Sequence, residues 1–236
     1  MKTRFLIILM AFAYISCKNE IKEITETYPN GNPKKIEYFK QKDSLKIKVK
    51  EEGFFFNKKI KYRGSFKDNQ PSGKWKYWYQ NGKVFSEKEI KNKLSSNWKI
   101  FNTDGKPFMD KTYNLTVIEE YPNGAPYHIY YSKKGDKYKY EYFFHPDFQL
   151  QMQGATINNI RDGKWAYWYE NGNPWSVGYY KNGLNDSTRT VWYENGKIRY
   201  EGKYKDGIEV GIWKFYDETG SLVKEADYDN KKVIDK

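Results

Sequence analysis

Residue types able to do chemistry are scarce in this sequence. Two histidines, His128 and His145, one cysteine, Cys17, and scattered carboxylates are what its 236 residues offer to an acid–base or metal site. A zinc centre gathers His, Cys or carboxylate ligands at short spacings, and neither histidine has such a neighbour in sequence; His145 opens the turn-like stretch HPDF. Both read as ordinary surface or half-buried imidazoles. Glu119 and Glu120 are adjacent, which on a strand points them to opposite faces and bars them from shared acid and base work. No G-x-S-x-G and no glycine-rich phosphate loop before a helix occurs. The expectation is no enzyme, with no cofactor and no metal.

Aromatic residues are abundant instead: 8 Trp, 23 Tyr and 14 Phe make up 19% of the chain, beside 31% charged residues. GKWKYWYQNG at 73–82 and GKWAYWYENG at 163–172 are near copies. A catalytic constellation rarely comes in copies; a building unit usually does. Gly124, Gly172, Gly196 and Gly220 are 48, 24 and 24 residues apart, with the missing member at Phe148, and Gly31, Gly53, Gly82 and Gly105 follow at 22, 29 and 23. About nine units run from Ile24 onward, each supplying two short strands and two turns.

Asn171-Gly172, Asn195-Gly196, Asn182-Gly183 and Asp206-Gly207 suit the positive φ of hairpin tips, and no stretch carries a helical apolar rhythm. The fold expected is all-β, an elongated antiparallel β-meander of tandem hairpin repeats of about 24 residues. YPNGNP at 28 and YPNGAP at 121 point to a duplication, hence two arrays, 24–113 and 114–236. No Pro-, Gly- or Ser-rich linker parts them, so one continuous sheet is expected, with an irregularity around Leu115 to Glu120.

Strand alternation sorts the aromatics into ladders. Trp75, Trp98, Trp165 and Trp213 form one, broken by Arg189; Trp78, Phe101, Trp168, Trp192 and Tyr216 form a second, unbroken one; Phe66, Ile90, Tyr180, Tyr204 and Tyr228 form a third. The first two lie on opposite faces unless a bulge reunites them. The second ladder is the candidate binding face, with most of its rings expected to be at least half buried.

The motif G-x-W-x-x-[YWF]-Y-x-x-N-G followed by Y-K-[ND]-G resembles the MORN-repeat-variant family of bacterial tandem β-hairpin proteins, strongly over 62–113 and 154–230. Arg189 in place of Trp and Phe148 in place of Gly depart from it. The resemblance implies an elongated meander and an interaction role, with no catalytic residue to carry over; many members are labelled antitoxin-like.

The N-terminus, MKTRFLIILMAFAYISC, has a basic start and an apolar run from Phe5 to Ile15, too short for the roughly 20 residues of a membrane span. It reads as a signal peptide over 1–16, and Tyr14-Ile15-Ser16-Cys17 resembles a bacterial lipobox, making Cys17 the lipidation site and 17–23 a tether. Cleavage leaves 40 Lys and Arg against 30 acids, a charge of +10. Export makes nucleic acid an improbable partner despite that charge. The partners expected are the membrane through Cys17, a protein, and as an alternative an envelope glycan stacking on the ladders. Lys18-Asn19-Glu20 favour the outer membrane over the inner. The leading reading is a non-catalytic envelope lipoprotein acting as a protein-interaction scaffold; a glycan binder and an antitoxin- or immunity-like neutraliser are the alternatives.

Overall fold

A computed structural model describes residues 20–91 and 94–235, and every regular element there is a strand. The first sheet comprises β1 (Glu20–Thr27), β2 (Pro33–Lys42), β3 (Leu45–Phe54), β4 (Ile60–Lys67), β5 (Gln70–Trp78), β6 (Val84–Lys91) and β7 (Leu94–Ile100). The second comprises β8 (Asn114–Glu120), β9 (Pro126–Ser132), β10 (Tyr138–Phe144), β11 (Leu150–Ile157), β12 (Ile160–Trp168), β13 (Pro174–Lys181), β14 (Leu184–Trp192), β15 (Ile198–Lys205), β16 (Ile208–Tyr216), β17 (Leu222–Asp227) and β18 (Lys232–Asp235). Each strand pairs antiparallel with its neighbours in chain order, so both sheets are meanders.

The single continuous sheet expected from sequence is thus two. Pairing ends at β7 and resumes at β8, and the chain divides between Phe108 and Met109. Between the sheets the backbone makes one further loop and a bridge from Phe101 to Pro107, a residue with no N–H to extend a ladder. The irregularity therefore precedes Leu115–Glu120, which forms most of β8 and is bulged only beside Val117 and Glu119.

Two turn types alternate. In nine five-residue loops, starting at Tyr28, Phe55, Tyr79, Asn102, Tyr121, His145, Tyr169, Tyr193 and Asp217, the first N–H donates to the fifth carbonyl and the fourth N–H to the first carbonyl. The fourth residue is left-handed, and its seat is held by glycine except at Lys58 (φ 65°) and Phe148 (φ 76°). Gly53 is accordingly no loop residue, contrary to the spacing argument: it lies within β3, and Lys58 takes the seat. β9 and β10 are joined by a further five-residue loop, 133–137, in which the Asp136 N–H donates to the Lys133 carbonyl, and four other turns are tight. Asp68-Asn69, Asn158-Asn159, Asn182-Gly183 and Asp206-Gly207 all have positive φ at both residues, the two-residue hairpin whose twist matches its strands. Asn171-Gly172 and Asn195-Gly196 instead close five-residue loops.

Contacts between strands run mainly between hydrogen-bonded neighbours, so the core of each sheet is made on one face by its own side chains. Trp75, Tyr77, Tyr79, Trp165, Tyr167 and Trp213 are buried there, alternating along their strands with more exposed residues except at Ala166, which is buried as well. The tryptophans fit because the neighbouring strand has a glycine beneath the ring. A Cβ on Gly64, Gly154 or Gly202 would fall 2.1, 2.2 and 2.1 Å from the rings of Trp75, Trp165 and Trp213, and one on Gly53 would fall 1.9 Å from Tyr62. Across the second sheet the order is Trp165, Gly178, Arg189, Gly202, Trp213, Ala226, large against small at each step.

A bulge completes the arrangement. It sits just before each ladder residue, at Gly73, Gly163, Ser187 and Gly211, all with positive φ. By shifting phase it returns the third ladder to the face of the first: Phe66 meets Trp75, Tyr180 meets Trp165, and Tyr204 and Tyr228 meet Trp213, all edge-on. It also leaves a carbonyl off the ladder, which Trp165 Nε1 reaches at Ala155 (3.0 Å) and Trp213 Nε1 at Lys203 (3.2 Å).

Gly202→Ala is expected to lower unfolding free energy by about 1–3 kcal/mol, because the Trp213 ring must move. Gly178→Ala, whose Cβ would meet only Arg189 carbons at 3.6 Å, is expected to stay within about 1 kcal/mol of wild type. Urea titration of both variants checks the contrast; equal losses would sink the ring-over-glycine account.

Candidate functional site

The candidate binding residues lie on the face opposite this core. Trp78, Trp168, Trp192 and Tyr216 each end a strand, one residue past Tyr77, Tyr167, Val191 and Phe215 of the other face, the first three of which are buried, and Phe101 follows β7 at its bridge. No bulge intervenes between Trp75 and Trp78 or between Trp165 and Trp168 on their own strands, so the two ladders stay on opposite faces. All five second-ladder residues are half-buried. In the second sheet Trp168 joins Tyr138, Tyr140, Tyr142, Gln153 and Asp162 in lining an open groove of about 510 Å³. Cys17 lies outside the described residues.

What holds these strand ends in line is a staple between successive units. The tyrosine that opens a five-residue loop donates its hydroxyl to the carbonyl of the second-ladder residue one unit on: Tyr79 to Phe101 (2.8 Å), Tyr169 to Trp192 (2.8 Å) and Tyr193 to Tyr216 (2.9 Å). Tyr28 and Tyr121 make the same bond to Phe54 and Phe144. Where the tyrosine is replaced by His145, Nε2 reaches the Trp168 carbonyl at 2.9 Å. Loop asparagines add a second tie, Asn81 to Thr103, Asn171 to Glu194 and Asn195 to Glu218. His145 is therefore a structural staple, buried and partnered.

His128 has the partner that sequence spacing did not show. Its Nε2 lies 2.6 Å from Glu141 Oε2, its ring stacks on Phe143 at 3.9 Å, and Thr156 donates to Glu141 Oε1 at 3.0 Å. Glu141 is buried. Burial raises its carboxyl, but the bonds from His128 and Thr156 and the charges of His128 and Lys139 outweigh that and hold it below the ordinary glutamate value. The first sheet has a counterpart ninety residues earlier: buried Glu51 accepts from Tyr62 Oη at 2.6 Å and from Lys48, whose ammonium also reaches Glu37 (2.6 Å) and stands over the Phe66 ring. Burial and the Glu51 bond push the Tyr62 hydroxyl well up. The offset relating Glu51 to Glu141 is that of Gly64 to Gly154 and Trp75 to Trp165, so the duplication itself was the available signal. No group of three or more metal-binding side chains occurs among the described residues.

By fold and site the chain is a tandem β-hairpin repeat protein. Four of its units, residues 71–92, 161–182, 186–206 and 209–230, match the MORN repeat variant family, and over them it is a MORN-variant repeat protein. No curated protein matches the sequence. Among solved structures the chain is similar to those of TcdB2-TccC3-TEV, TcdB2-TccC3-Cdc42 and TcdB2-TccC3 without its hypervariable C-terminal region. Identities are 8%, 9% and 9% and TM-scores 0.23, 0.22 and 0.21, over 91%, 88% and 91% of this chain and 12%, 11% and 14% of those chains. The chain thus spans about an eighth of their length, and at such TM-scores the likeness bears on neither its fold nor its function.

Tyr193→Phe is expected to cost about 1 kcal/mol, one partly buried hydrogen bond, with the strand ladder retained by circular dichroism. For Glu141 the sign follows from its lowered value. The stability its ionised form contributes is complete above the ordinary 4.5 and is lost as pH falls through the lower folded value. Glu141→Gln should flatten stability against pH below about 4.5; a slope equal to wild type in a urea series would refute the assignment.

Proposed function

We propose that the chain is a non-catalytic repeat scaffold of the bacterial envelope, exported by residues 1–16 and anchored through lipid on Cys17, whose second-ladder face docks another protein. The observation that carries this reading is the asymmetry of the sheets. One face buries its tryptophans against its own glycines, while the other leaves Trp78, Trp168, Trp192 and Tyr216 half-open at strand ends, the last three tied to the preceding unit by His145, Tyr169 and Tyr193. Half-buried Trp and Tyr among charged side chains are what protein-binding surfaces concentrate. The apolar N-terminal run and the lipobox-like YISC support the envelope location, with the outer membrane favoured by Lys18-Asn19-Glu20.

Glycan binding is the second reading, favoured by the groove in which Trp168 and three tyrosines lie beside Gln153 and Asp162, rings and hydrogen-bonding groups together. An isolated mature chain and its Trp168→Ala/Trp192→Ala variant, presented in parallel to envelope extract, separate these readings. A protein retained by the wild type and lost by the variant supports the scaffold. Loss of polysaccharide alone shifts the assignment to glycan, and identical capture by both forms removes the second ladder from either role.

A further inference from the structure

The departure of Arg189 from the Trp ladder has a chemical consequence. Its neighbours in the row, Gly178 and Gly202, are the small residues that elsewhere lie under a ring. Above Gly178, however, the nearest atoms are the Arg189 carbons from 3.6 Å, so this buried glycine lies under an alkyl stem and not under a ring. A second guanidinium borders the same place. Arg161 stacks over Trp165 at 4.4 Å, and its Nη1 approaches Tyr180 Oη at 3.5 Å, while Arg189 Nη1 approaches the same oxygen at 3.4 Å and Asn185 Oδ1 at 3.0 Å. Two half-buried cations therefore converge on one phenol, and neither forms an ion pair among the described residues.

Half-buried guanidinium groups ordinarily face a carboxylate, since removing such a charge from water without a counter-charge is costly. The nearby acids are turned elsewhere: Asp162 accepts from Tyr138 Oη and the Asn182 N–H, and Glu209 pairs across the strands with Tyr204. Each guanidinium has five N–H donors, and the bonds above occupy only Nη1. One more polar atom is left over. Tyr167 Oη, on a side chain some nine-tenths buried beside Tyr180, makes no hydrogen bond of good geometry. Burial raises the Tyr180 hydroxyl, but the weak approach of the Tyr167 hydroxyl first, and then the Arg189 bond and the Arg189 and Arg161 charges, bring it below its ordinary value.

We propose that Arg161, Arg189, Tyr167 and Tyr180 form an anion-binding site on the core face of the second sheet, taking a single oxyanion group of the phosphate, sulfate or carboxylate type. The guanidinium forks supply paired donors to its oxygens, and the phenols supply further donors. The site goes beyond the scaffold reading and stands apart from it, because it lies on the opposite face from the second ladder and is tested without a partner.

The test is a titration of the mature full-length chain with sodium phosphate and, separately, sodium acetate at ionic strength fixed with chloride, followed by thermal unfolding and by NMR of the Arg side-chain N–H groups. A saturable shift with phosphate, acetate or both is expected, and the two arms distinguish a tetrahedral from a planar oxyanion. Arg189→Trp restores the ladder residue over Gly178 and should abolish the shift while raising Tm in chloride alone. Arg161→Gln, which leaves the ladder untouched, should weaken binding about tenfold, the loss of one charge-assisted contact. No saturable shift in the wild type, or an equal shift in Arg161→Gln and wild type, would overturn the site whatever the folding behaviour of Arg189→Trp.

Discussion

The structure depends on one steric bargain: an aromatic ring lies flat on the next strand because that strand has a hydrogen where a Cβ would be. A meander whose strands touch mainly their hydrogen-bonded neighbours has no second layer to bury its apolar face against. The alternative is to lay large rings down on the sheet itself, and Trp75 on Gly64, Trp165 on Gly154 and Trp213 on Gly202 do that. Stacking extends the cover, Tyr62 to Trp75 at 6.4 Å and Trp213 to Phe215 at 6.4 Å, each pair contributing roughly 0.5–1.5 kcal/mol beyond area burial. Tyr and Trp suit the role because a ring lying on a sheet keeps one edge near water.

The bulge and the two turn types follow from that arrangement. A ring lying over the neighbouring strand needs the third-ladder residue beside it to close its exposed edge, and only a phase shift brings Tyr180 or Tyr204 to that side. Positive φ at Gly163, Ser187 or Gly211 makes the shift. At one end of the strands the two-residue turns fix register tightly; at the other, the longer loops leave room for the tyrosine that staples one unit to the next. Lys58 and Phe148 hold left-handed seats without being glycine, which costs each about 1 kcal/mol or more, and full burial of the Phe148 ring offsets that cost.

How much of this was legible in the sequence follows the range of the interactions. Strand alternation, hairpin tips and the 24-residue period are local, and Trp165, Tyr167, Asn182-Gly183 and the seat at Phe148 were readable from them. Gly53 misled because glycine has two uses here, turning the chain and lying beneath a ring; nothing local distinguishes them, and the residue in the turn was Lys58. The break into two sheets was invisible for a similar reason: it needs no linker composition, only a loop followed by Pro107. The pairing of His128 with Glu141 joins adjacent strands at a separation of thirteen residues that no ligand spacing encodes, and it emerges only once their register is known.

A repeat array constrains where specificity can reside. Residues that serve the ring-over-glycine arrangement must recur, since each unit is stable only through its neighbours, and a feature shared by all units cannot single out one place on the sheet. Position along the array is marked by the units that depart. His145 departs from tyrosine and keeps the staple, and Phe148 departs from glycine and keeps the loop, so both conserve the architecture by other means. Arg189 departs from tryptophan and does not: it gives up the indole's burial, places a charge in the core row and lays an alkyl stem in place of a ring on Gly178. A substitution that weakens the packing rule without a structural replacement is accounted for by what it can hold, and in this row that is a counter-charge.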